Sequence, residues 1–83
     1  MSKRIEFLIK SEKQTVYWKN SFDTEYAVFK LTPEGDTYTK CEGIGGEYKS
    51  NNSKMAFDSM YHDLHEITEQ DYNEFPRNIS KLF

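Results

Sequence analysis

The sequence predicts an α+β fold: an antiparallel β-meander of about four strands, then two short C-terminal helices packed on one sheet face. Three observations predict it. Apolar and polar residues alternate through several short segments of the first fifty residues. Thr32-Pro33-Glu34-Gly35-Asp36 has the chemistry of a tight turn. Beyond Asn52 the apolar spacing changes from two to the helical pattern of Phe57, Met60, Tyr61 and Leu64.

Taken in order, Ile5, Phe7 and Ile9 alternate with Glu6, Leu8 and Lys10, which predicts a strand over Arg4–Lys10. Ser11–Gln14 is polar and turn-like, and Thr15–Lys19 is β-branched and aromatic. These two segments are expected to pair as a hairpin. After the polar Asn20–Thr24 connection, Tyr26–Leu31 is a third strand, with Ala27, Phe29 and Leu31 on one face and Tyr26 and Val28 on the other. Pro33 presets the backbone angle of a turn and Gly35 supplies a positive φ, so a hairpin leads into Thr37–Glu42. Gly43, Gly45 and Gly46 end regular structure, and Glu47–Asn52 is expected to be a loop.

Asn52 or Ser53 can cap a helix whose stripe is Phe57, Met60, Tyr61 and Leu64. Leu64–Thr68 either ends that helix or forms a short strand. Thr68-Glu69-Gln70-Asp71 resembles a capping box with Asp in the last position. It opens a short helix holding Tyr72 and Phe75, and Pro76 ends it. Asn78–Phe83 is a tail from which Ile79, Leu82 and Phe83 can pack back. The 83 residues make one domain, with sheet and loop in 1–50, an acidic helical part in 51–76 and the tail in 77–83.

Hydrophobic residues are 36% of the chain and aromatics 16%, so Phe, Tyr and Trp replace much of the usual aliphatic mass of the core. Cys41 is the only cysteine, which excludes an internal disulfide and fits a cytoplasmic protein. No run approaches the roughly 18 apolar residues of a membrane span. Lys outnumbers Arg nine to two, the bias of A+T-rich coding in low-GC bacteria and their phages. In size, acidity and aromatic content the chain resembles small phage or mobile-element proteins that bind and block a host enzyme. No motif carries that resemblance, and no residue role follows from it.

Charge is the main functional signal. Residues 55–76 hold Asp58, Asp63, Glu66, Glu69, Asp71 and Glu74 with no Lys or Arg, whereas the first 54 residues balance nine basic against eight acidic side chains. The net charge of −3 therefore has its origin in one stretch. The bland explanation is a solvated helix face, with Glu69 and Asp71 favouring the positive end of a helix dipole. The functional one is a docking surface. Carboxylates three or four residues apart on a helix lie roughly 5–6 Å from one another, similar to phosphates along a nucleic-acid strand. Such a surface suits a basic groove on a protein such as a nuclease or other nucleic-acid-handling enzyme. Tyr61 and Tyr72 are the candidate aromatic anchors beside it.

Other constellations are weaker. Gly43–Ser50 is a near miss to a phosphate-binding loop, because Tyr48 stands where glycine must precede the Lys-Ser pair. His62 and His65 are three apart near carboxylates, but a metal site would need Cys41 as a further ligand. No nucleophile motif accompanies them, and no enzyme activity, cofactor or metal is expected. Tyr17, Trp18 and Lys19, with Lys13 and Arg4, could form an aromatic and basic platform for single-stranded nucleic acid. The net charge opposes this, and it stands as the alternative. An oligomerisation or small-ligand domain using an open sheet edge is a third possibility.

Overall fold

The computed structural model describes residues 3–22, 25–43, 46–49 and 64–83. The expected helix from Asn52 or Ser53, with Asp58, Tyr61, His62 and Asp63, lies outside them. The described chain is an antiparallel sheet with helices on both faces. Its elements are α1 (Lys3–Ser11), β1 (Val16–Phe22), β2 (Glu25–Leu31), β3 (Thr37–Cys41), β4 (Tyr48–Lys49), β5 (His65–Glu66), α2 (Glu69–Glu74) and α3 (Ile79–Leu82). The strand order is β4-β3-β2-β1-β5.

The central meander follows the alternation in the sequence. Val16 lies opposite Leu31 and Trp18 opposite Phe29, and on the next strand Phe29 lies opposite Thr39. Because successive side chains point to opposite faces, Val16, Trp18, Ala27, Phe29, Leu31 and Cys41 form one core with Phe7 of α1. The β2–β3 turn is as expected. The Gly35 amide donates to the Thr32 carbonyl at 2.9 Å, the Asp36 amide donates to the Thr32 hydroxyl at 3.1 Å, and Gly35 sits at φ +91°.

The first element differs from expectation: Lys3–Ser11 is a helix, not a strand. Leu8 interrupts the polar half of the alternation. In the helix Phe7, Leu8 and Ser11 face the sheet, while Ile5 and Ile9, the outer members of the supposed strand, are 44% and 45% exposed. Glu6 in the first turn and Lys10 in the last suit the helix dipole. The position beside β1 belongs instead to β5, which pairs Glu66 with Trp18 and His65 with Lys19. The expected Glu47–Asn52 loop also holds a strand in its described part. Tyr48 and Lys49 add an edge strand opposite Thr39 and Tyr38, a two-residue pairing that leaves no periodic trace.

The second face carries α2 and α3. The Thr68 capping box forms with Asp71 as its partner: the Asp71 amide donates to the Thr68 hydroxyl at 3.1 Å, and the Thr68 amide donates to the Asp71 carboxylate at 3.4 Å. Tyr72, Phe75 and Leu82 then bury against Val28 and Ile67, with Tyr17 and Ile79 packed around them. Both α2 and α3 thus lie on one sheet face, and α1 occupies the other; of the two expected helices α2 is the one among the described residues, while α3 is a helical turn within the expected Asn78–Phe83 tail. No helix among the described residues is long and apolar enough to cross a membrane.

Candidate docking surface

The acidic residues of the second half are placed by two short elements at the β5 edge. The pairing of β5 with β1 puts Glu66 on the α1 face of the sheet, opposite Trp18. The Thr68 cap starts α2 at once, so Glu69 and Asp71 stand in its first turn. These three carboxylates line one open groove of about 470 Å³ together with Lys10, Gln14 and Tyr17. A second groove of about 370 Å³ continues along the α1–β5 seam past Glu6, Phe7, Lys10, Leu64 and Glu66. Lys10 and Glu66 form an ion pair shared by both walls.

The carboxylates are not equivalent. Glu69 is exposed. Asp71 is largely committed to structure: its side chain is 19% exposed, completes the capping box and lies 3.8 Å from the Lys81 ammonium. Glu74 does not reach the groove; it accepts a 3.3 Å bond from Gln70 at the far end of α2. The stretch without basic residues is therefore compensated in space by Lys10 and Lys81, which come from elements distant in sequence. Such exposed pairs contribute about 0–1 kcal/mol each, so their main effect is on local charge.

Tyr72 is not an exposed anchor. It is 2% exposed, and its hydroxyl donates to the Glu47 carboxylate at 2.7 Å. Its position four residues after Thr68 points it at the sheet, where it meets the Tyr17 ring at 5.3 Å. Burial, reinforced by Glu47, pushes its phenol far above the ordinary tyrosine range. Around it, Lys30 pairs with Glu47 at 3.1 Å, and Lys40 donates to the carbonyls of Tyr72 and Asn73 at 2.7 and 3.3 Å. Burial lowers the Lys40 pKa, while Glu47 works in the opposite direction. Desolvation opposes ionisation of Glu47, but the bonds from Tyr72 and Lys30 outweigh it and hold its pKa below the usual carboxylate value. Glu47 has no distinguishing sequence signal, and its role is visible only once β4 is placed.

The remaining constellations separate in space. Trp18 is fully buried, stacked on Phe29 at 5.2 Å and edge-on to Phe7 at 5.6 Å. It cannot stack on a base without unfolding that core, and Tyr17 is half-buried against Tyr72 of α2. Cys41 and His65 lie on strands three places apart, roughly 14 Å across the sheet at about 4.8 Å per strand. Among the described residues no three His, Cys, Asp or Glu side chains converge on a metal-sized site. Comparison of the chain with protein-family models, curated proteins and solved structures finds no significant match.

Proposed function

We propose that this chain is a non-enzymatic protein-binding domain that acts by stoichiometric occlusion. Its acidic β5–α2 edge meets a basic groove on a partner, of the kind found on a nuclease or another nucleic-acid-handling enzyme. The observation that supports this most is that Glu66, Glu69 and Asp71 line a single open groove. Asp58 and Asp63 add two further negative charges to the same stretch of chain. Lys10 and Lys81 offset part of this charge, and the negative excess that Glu69 and the chain's net charge of −3 leave is what would speed encounter with a basic partner.

The test begins with a tagged capture from nuclease-treated lysate at low and moderate salt. The captured protein is then rebound to variants. Glu66→Lys with Glu69→Lys is the informative pair, because Asp71→Lys would also remove a helix cap. Association should slow at least tenfold, and its salt dependence should flatten, with the fold unchanged by circular dichroism. Binding as fast and as tight as the parent would sink acidic docking.

A further inference from the structure

The short edge strand β4 is tied to the body by side chains more than by its ladder. Among the described residues it makes two pairings, Tyr38 with Lys49 and Thr39 with Tyr48. The side chains of β4 and of Glu47 just before it reach both faces. On the α2 face, Glu47 accepts the Tyr72 hydroxyl at 2.7 Å and the Lys30 ammonium at 3.1 Å. On the α1 face, the Tyr48 hydroxyl lies 3.5 Å from the Cys41 thiol. Beyond them Lys49 pairs with Asp36 at 3.2 Å, a contact exposed on both sides. Gly46 leads into the strand at φ +86°, in open space, with no atom within 4 Å of where a Cβ would stand.

We propose that residues 46–49 form a releasable strap over the outer edge of β3, latched by the Tyr72–Glu47 bond. The physical reason is unequal anchoring. Tyr72 is fixed in the core by Val28, Ile67, Phe75 and Leu82, whereas Tyr48 and Lys49 are exposed. The strap therefore opens as a unit of low local stability while the central strands stay paired. Opening withdraws Tyr48 from Cys41 and frees the outer main-chain groups of β3, a sheet edge otherwise covered by β4. The strap is independent of the acidic groove, which lies at the opposite edge of the sheet.

Cys41 is the only thiol and is 8% exposed, so its modification rate reports opening. The experiment measures the reaction of Cys41 with a disulfide reagent in the parent, Tyr72→Phe, Glu47→Ala and the double variant. Amide exchange of β1 and β2 is followed in parallel. Tyr72→Phe keeps the ring and removes only the hydroxyl; it should raise the thiol rate about threefold to fivefold, the loss expected for one hydrogen bond to a partly exposed group. Glu47→Ala changes an exposed side chain and should do at least as much, and the double variant should react no faster than Glu47→Ala. Amide exchange in Val16–Leu31 should stay at the parent's level. An unchanged thiol rate in both single variants would overturn the latch. So would a rise matched by faster exchange across β1 and β2, since the thiol would then be reporting general loosening.

Discussion

The two faces of the sheet are built on different chemistry. Under α1 the core is apolar, with Phe7, Trp18 and Phe29 arranged edge-to-face and stacked, and the buried polar side chains beside it are the uncharged hydroxyls of Ser11, Thr37 and Thr39. Under α2 and α3 an apolar patch around Val28 and Phe75 adjoins a polar cluster in which Tyr72, Glu47, Lys30 and Lys40 satisfy one another. The dry face draws its stability from burial of shape-matched rings. The polar face ties together segments that share little apolar surface, namely the β4 edge and the C-terminal end of α2. Burial is nondirectional and supplies most of the energy, whereas the hydrogen-bonded cluster fixes how α2 and β4 are seated.

If this contrast is right, the most damaging single change lies on the dry face. Trp18→Ala should cost about 3–5 kcal/mol, a large part of the roughly 5–15 kcal/mol that stabilises a typical domain. Urea denaturation should show the largest fall in midpoint of all these variants. A loss no greater than that of Tyr72→Phe would break the distinction between the faces.

A smaller effect is expected where α2 begins. Thr68→Ala removes the side chain that accepts the Asp71 amide bond and should cost about 1 kcal/mol, read as a lower thermal midpoint. Because the cap seats Tyr72 as well as Glu69, the loss should appear first in amide exchange on α2 and α3, with the β1–β2 amides changing only through global stability. Equal early loss on both faces would show that they do not act separately.

The smallest effect is the pH dependence of the polar cluster. Glu47 faces Tyr72 from α2, Lys30 from β2, Lys40 from β3 and, at longer range, Tyr17 from β1. Its folded pKa is depressed, so its contribution is present above the unfolded carboxylate pKa and is lost as pH falls through the lower folded value. Glu47 is partly exposed, and solvent screening keeps the effect below about 1 kcal/mol. The difference in urea midpoint between the parent and Glu47→Gln should therefore be largest near neutral pH and should shrink in acid. A difference that stays constant down to acid pH would remove Glu47 ionisation from the account of this face.

Much of the dry face was legible in the sequence, because period-two alternation in β2 and the chemistry of Thr32–Asp36 are local signals. The capping box of α2 was legible for the same reason, and the return of Ile79 and Leu82 follows from their apolar character. The N-terminal segment was not. Its residues fit a strand template as well as a helix, and only the occupation of the β1 edge by β5 leaves α1 to cover the sheet. The acidic surface was half legible. Composition marks Glu66, Glu69 and Asp71, but only the fold separates the exposed Glu69 from the capping Asp71, buries Tyr72 and brings Lys10 and Lys81 alongside.

The sequence by itself determined the antiparallel meander, its turn, the cap of α2 and the segregation of negative charge, because each depends on residues within a few positions of one another. Tertiary structure decided the two-sided covering of the sheet, the position of β5, the seating of Glu47 against Tyr72 and the neutralising partners of the carboxylates. Those depend on which surfaces compete for the same sheet edge and face, and that competition is settled by burial summed over the whole chain.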